Sequence, residues 1–174
     1  MKEDPRYREV KEALLRADWK NEDLLFEPVM HVQSRVYCPD IVLLYNLCPL
    51  AVVEIKLDLV SPELLAFVAR EQAEALGIPF ALIMDQRRIF ALNTLSGESL
   101  VFDDFPTPKD LWSSLGREWD LSDPRLYPPY IEQKDFSLYQ AIAVGRVIEA
   151  VLDGQRGIIL YLHTYGRSFS VAYR

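Results

Sequence analysis

Arg35-Val36-Tyr37-Cys38-Pro39-Asp40-Ile41-Val42-Leu43 and, after a short break, Leu50-Ala51-Val52-Val53-Glu54-Ile55-Lys56 are the two stretches that decide how this chain folds. Each contains an unbroken apolar run of strand length, and Asn46-Leu47-Cys48-Pro49 between them reads as a turn. Neighbouring strands would bring the acid that opens the first run to the acid and lysine that close the second. Side chains alternate along a strand, so Glu54 and Lys56 share one face while Val53 and Ile55 take the other. Asp40 raises a question of register. A four-residue turn pairs Tyr45 with Leu50 and Asp40 with Ile55, on the wrong face for Glu54. A site here therefore needs a shifted register or a bulge, and Pro39 favours an irregular strand start.

Two acids and a lysine at this spacing suit one kind of chemistry. A hard cation such as Mg2+ takes oxygen ligands and is usually held by one or two carboxylates, with water and substrate phosphate completing its shell. Asp40 and Glu54 are the candidate carboxylates, and the Ile55 carbonyl between Glu54 and Lys56 is a candidate third ligand. Lys56 is placed to orient an attacking water or to offset negative charge in a phosphoryl transition state. The plain alternative is an edge-strand acid beside a surface Glu/Lys pair.

Pro39-Asp40…Glu54-Ile55-Lys56 resembles the PD-(D/E)XK nuclease motif. The surrounding residues 35–43 and 51–56 resemble the amino-terminal nuclease domain of type I restriction enzyme R subunits. The resemblance implies an α/β restriction-endonuclease-like core, a mixed sheet flanked by helices in the order αβββαβ. It also implies Mg2+-dependent cleavage of DNA, with Mn2+ able to substitute, and Asp40, Glu54 and Lys56 as the catalytic set.

The flanking segments fit that core. Ser61-Pro62-Glu63 is a helix start with an N-cap, a proline at the first helical position and an acid in the first turn, and Gly77 is a natural stop. Leu65, Val68, Gln72 and Leu76 recur at helical spacing and predict the inward stripe. Gln72 is the polar member of that stripe. The resembled nucleases carry a glutamine on this helix that reaches the active site, although Leu76 stands where they have tyrosine. Gln72 equally reads as a half-buried amide bonded to backbone. Residues 80–84 form a short apolar run typical of a central strand, and Asp85-Gln86-Arg87-Arg88 turns the chain into a second strand over 89–92. Arg87 and Arg88 are candidate DNA-phosphate contacts. Residues 1–20 predict an opening helix with Val10, Leu14, Ala17 and Trp19 on its apolar side. The resemblance implies a glutamate from this helix near the metal, with Glu9 as first choice and Glu12 as the runner-up.

At 174 residues the chain can bury a sizeable core, and 50% of the residues are apolar. No stretch approaches the roughly 20 apolar residues of a membrane span. The charged start Met1-Lys2-Glu3-Asp4-Pro5 is unlike a signal peptide, so a cytoplasmic location is expected. Two cysteines, Cys38 and Cys48, read as small buried side chains, and His31 and His163 are too isolated to suggest zinc. The net charge of −7, spread along the chain, argues against a strong sequence-independent grip on DNA and for weak affinity alone or a partner that supplies the grip.

The expected domain division is 1–128, nuclease-like, and 129–174, a helix-strand extension. In the second part, residues 136–152 predict a helix and 157–162 a strand. Phe136-Ser137-Leu138-Tyr139-Gln140 and Gly154-Gln155-Arg156-Gly157 resemble the opening of the R-subunit helicase motor. His163-Thr164-Tyr165-Gly166-Arg167-Ser168 stands where its phosphate loop would be, but it keeps one glycine and has arginine for lysine, so no ATPase activity is expected. Apolar residues of a motor remnant need cover, which predicts self-association, as a homodimer for example, through the C-terminal segment. Two function classes follow: a Mg2+-dependent endonuclease acting on DNA, or an idle truncated R-subunit homologue that binds other restriction-modification subunits.

Overall fold

A computed structural model describes residues 5–32, 34–46, 48–55, 61–85, 88–116, 147, 148, 150, 159–164 and 167–172. Helix α1 (Pro5–Arg16) buries Val10 and Leu14, one turn apart, against the core. Asp18 (φ 63°) ends it in the left-handed conformation more often taken by glycine. The chain then folds Trp19 inward, where its indole N–H donates to the Pro106 carbonyl at 2.9 Å.

The strands are β1 (Leu24–Phe26), β2 (Met30–Val32), β3 (Arg35–Tyr37), β4 (Ile41–Tyr45), β5 (Cys48–Ile55), β6 (Phe80–Asp85), β7 (Arg88–Asn93) and β8 (Ser99–Phe102). Six of them form one sheet in the order β1-β4-β5-β6-β7-β8, while β2 and β3 make a separate antiparallel ribbon. Strands β4 and β5 are buried almost throughout, which is why their sequence is a continuous apolar run and not an alternation.

Helix α2 (Pro62–Leu76) crosses from β5 to the parallel strand β6, with Glu54 opposite Ile83 and Ile55 opposite Met84. Its ends match the expected signals. The Ser61 hydroxyl accepts from the Leu64 N–H, and Gly77 closes the helix at φ 64°. The inward stripe keeps Leu65 and Gln72 as expected and is completed by alanines. Leu65, Ala69, Gln72 and Ala73 are buried, whereas Val68 and Leu76 are only half-buried. Alanines let the helix approach the sheet closely, a signal weaker in the sequence than that of larger apolar residues.

Strands β6, β7 and β8 form an antiparallel meander, with Asp85 opposite Arg88 at the first hairpin. Helix α3 (Pro108–Ser114), capped by Thr107, buries Trp112 with its ring edge-on to Tyr45 at 6.0 Å. In chain order the main-sheet elements run helix, three strands (β1, β4, β5), helix, strand (β6), then two further strands. The result is a mixed α/β layer arrangement with a mostly antiparallel central sheet flanked by helices.

The chain divides into two compact units, residues 1–45 with 50–117 and residues 46–49 with 118–174, and each is taken by itself. In the second, Val147, Ile148 and Ala150 are helical; the rest of the helix expected over 136–152, and the boundary expected at 128/129, lie outside the described residues. Strands β9 (Ile159–Thr164) and β10 (Arg167–Ala172) form an antiparallel hairpin with Thr164 opposite Arg167 and His163 opposite Ser168. The described residues of the stretch read as a degenerate phosphate loop, 163, 164, 167 and 168, thus lie in two paired strands, where a phosphate loop would lead from strand to helix.

Candidate active site

The register question is resolved at the start of β4. Asp40 lies just before the first paired residue, outside the strand and free of the pleat. The turn is also tighter than the expected 46–49, because β4 ends at Tyr45 and β5 begins at Cys48, with Asn46 at φ 48°. From this position the Asp40 carboxylate reaches back to the end of β5. Its Oδ2 accepts the Ile55 backbone N–H at 2.8 Å, as a strand carbonyl would.

Glu54 stands beside it. It is only 7% exposed, and it accepts a 2.7 Å hydrogen bond at Oε1 from Nε2 of Gln72. Burial raises its pKa from the ordinary 4.5 to about 7, with the Asp40 charge and a shared carboxyl hydrogen bond pushing the same way. The Asp40 backbone N–H and the Gln72 amide oppose that shift without cancelling it. The two acids from separate sequence stretches are therefore neighbours, and Gln72 bonds a side-chain carboxylate, not backbone. Once its Nε2 faces Glu54, Gln72 Oε1 is left buried with no hydrogen-bond partner among the described residues.

The contribution from α1 differs from expectation. Tyr7 donates to Asp40 Oδ1 at 3.1 Å and lies 3.2 Å from Glu27 Oε1. Burial, then the nearby Asp40, raises its hydroxyl pKa well above the ordinary value, so it keeps its proton. Glu9 and Glu12 are exposed. Helical spacing gives the reason: Tyr7 lies three and seven residues before Val10 and Leu14, on their stripe, whereas Glu9 and Glu12 lie around the opposite side. Extending the apolar stripe back one turn would have found Tyr7. Nothing in the sequence marks Glu27, whose left-handed backbone (φ 46°) lets its N–H reach the Asp40 carbonyl at 2.8 Å.

Among the described residues, no group of three or more His, Cys, Asp or Glu side chains could hold a metal ion, so the site is a carboxylate pair. Lys56 and Arg87 lie outside the described residues, and Arg88 is exposed at the start of β7. Cys38 is exposed, contrary to expectation, because it precedes β4 on an irregular segment; Cys48 is buried as expected. A cleft of about 410 Å3 lies between β3 and α2, lined by Arg35, Tyr37, Val68, Glu71 and Gln72 among others. Arg35 and Glu71 form an exposed ion pair at 3.0 Å in its lining.

Positive charge placed between the two would relieve a carboxylate that burial, and then its neighbour's charge, keep partly protonated.

The chain resembles a solved structure. The fragment structure, assigned as the HsdR subunit of a type I restriction enzyme from Vibrio vulnificus YJ016, matches with a TM-score of 0.62 and 27% sequence identity. The match covers 85% of this chain and 32% of that one, so the chain spans about a third of its length. The fold is therefore R-subunit-like. No protein-family model matches the chain. No curated protein matches it either. Among the described residues no helix is long and apolar enough to cross a membrane.

Proposed function

We propose that this chain is a Mg2+-dependent DNA endonuclease of the type I restriction R-subunit kind, with a PD-(D/E)XK site. The observation that carries the reading is the meeting of Asp40 and Glu54 at the end of β5, with Gln72 bonded to Glu54, within an R-subunit-like fold. Asp40, Glu54 and the Ile55 carbonyl would hold Mg2+ or Mn2+. Bound there, the cation supplies a Lewis acid for phosphate and lowers the pKa of water.

The chain's own residues do the remaining work. Asp40 is fixed through Ile55 and Tyr7, and Gln72 orients Glu54. Lys56, two residues past Glu54 in the sequence, would orient the attacking water and offset the charge that develops on phosphorus. One water is consumed. Its oxygen bonds to phosphorus, one P–O ester bond breaks, and the leaving oxygen takes up a proton. DNA is the substrate on this reading, and restriction-modification subunits, or further copies of the chain associating through the C-terminal segment, supply the grip that a net charge of −7 does not. The location is read as cytoplasmic.

The β9–β10 hairpin favours a second reading. Where an R-subunit motor would carry its phosphate loop, this chain pairs two strands, so ATP-driven translocation has no machinery there. On that reading the chain is an idle interaction module that binds other restriction subunits.

Cleavage of supercoiled, linear and single-stranded DNA in Mg2+ or Mn2+, by the wild type and by Asp40→Ala and Lys56→Ala, separates the two. Cleavage that both substitutions abolish supports the nuclease. Wild type and variants that behave alike leave the interaction module.

A further inference from the structure

We propose that Tyr7 is the positioning residue for Asp40, holding its carboxylate in a cation-binding orientation from helix α1. The proposal rests on the metal-site reading above and assigns to this helix a hydroxyl in place of the glutamate expected there.

Asp40 is held at two points. Ile55 N–H fixes Oδ2 at 2.8 Å, and the Tyr7 hydroxyl fixes Oδ1 at 3.1 Å. One hydrogen bond alone leaves the carboxylate free to swing about it, whereas two set the plane of the group. Once Glu54 is ionised and no longer donates to Asp40, each oxygen still has a lone pair free for a cation. The ring that carries the hydroxyl is itself fixed, edge-on to Phe26 at 5.8 Å. Phe26 pairs with Ile41 in the β1–β4 ladder, and the next residues extend it, with the Glu27 N–H donating to the Asp40 carbonyl at 2.8 Å. A single strand pair therefore supports both the backbone of Asp40 and the ring of Tyr7.

Glu27 competes for the Tyr7 proton from 3.2 Å. A phenol has one proton to donate, and the exposed Glu27 carboxylate is well solvated by water, whereas Asp40 is half-buried. The proton therefore serves Asp40. Residues that orient a metal ligand in this way typically change metal affinity by about 10–100-fold when removed.

The test is Mn2+ binding to the full chain, followed by electron paramagnetic resonance of free Mn2+, for wild type, Tyr7→Phe and Asp40→Asn. Tyr7→Phe keeps the ring and its packing on Phe26 and removes only the hydroxyl. The expected result is a Mn2+ dissociation constant raised by about 10-fold in Tyr7→Phe, with an unchanged melting temperature. In the cleavage assay the half-saturating Mn2+ concentration rises in step, while the rate at saturating Mn2+ is retained. Tyr7→Phe that binds Mn2+ like wild type, while Asp40→Asn does not bind, overturns the inference and leaves the metal site standing. A variant that only melts earlier, or that loses rate at saturating Mn2+ with its affinity intact, overturns it in the same way. If the wild type and Asp40→Asn bind Mn2+ equally, the inference and the metal-site reading fall together.

Discussion

Glu54→Gln should make the protein more stable and inactive at the same time. In the folded chain the Glu54 carboxyl pKa stands at about 7, against an ordinary 4.5. Between those values the folded state holds a proton that the unfolded chain has released, so stability falls as pH rises from about 4.5 to about 7. Each unit of difference is worth about 1.4 kcal/mol, so ionising Glu54 costs the native state about 3 kcal/mol by pH 8. Glutamine removes that cost. Its carbonyl still accepts from Gln72, and its amide can donate to Asp40. For a chain of this length, about 3 kcal/mol corresponds to a melting temperature roughly 6–12 °C higher. Melts followed by circular dichroism at pH 4 and pH 8 test this. The variant should melt well above wild type at pH 8 and alongside it at pH 4, where Glu54 is protonated in both folded and unfolded chains. Millimolar Mn2+ should raise the wild-type melt at pH 8 by binding the native state alone, and leave the variant unmoved. A variant no more stable than wild type at pH 8, or equally advantaged at pH 4, would refute the ionisation argument.

Three further substitutions probe the scaffold by thermal or chemical denaturation. Trp19→Phe removes a buried indole N–H from the Pro106 carbonyl and leaves that acceptor unpaired in a closed site, so a loss of about 1–3 kcal/mol is expected from urea unfolding. Gly77→Ala forces a side chain into the left-handed conformation that ends α2 (φ 64°) and should cost about 1–2 kcal/mol by the same measure. Arg35→Ala breaks only the exposed ion pair with Glu71, whose partners are 71% and 44% exposed. Its stability should stay within about 0.5 kcal/mol of wild type, so a larger change would give this pair a structural part that its exposure argues against.

Most of what positions the site can be read from the sequence, because the signals are strong and local. The apolar runs mark β4, β5 and β6; Ser61-Pro62 and Gly77 mark the ends of α2; and the spacing of Asp40 and Glu54 points to one site. Features that depend on three-dimensional context are less visible. β1, β2, β3 and β8 have only three or four residues each, too few for a periodic pattern to stand out. The sequence reads as a four-residue turn between β4 and β5 and the structure starts β5 at Cys48, but counting strand pairs back from either turn puts Asp40 on the face opposite Glu54. What places Asp40 is its position before the ladder, together with the Ile55 N–H that its side chain claims. Tyr7 escapes sequence reasoning for a different reason. It lies on the expected stripe, but its role depends on meeting Asp40 thirty-three residues later, and only the β1–β4 ladder makes that meeting possible.

The location of the acid pair follows from the sheet itself. At the carboxyl end of β5, the neighbour on one side, β4, is just beginning, because a two-residue connection makes the pair antiparallel. On the other side β6 is ending, in parallel register, with Ile55 opposite Met84. Helix α2 starts at Pro62, and among the described residues β6 runs only one residue past the partner of Ile55. Such a point opens a crevice, and in sheets with parallel crossovers ligands collect at crevices of this kind. Asp40 enters it from the start of β4, Glu54 from the end of β5, Gln72 from the returning α2, and Tyr7 from α1. Four elements thus converge on one pair of carboxylates. Each is held by a neighbour from another element, so the site's geometry is fixed by the packing of the whole unit and not by any one loop.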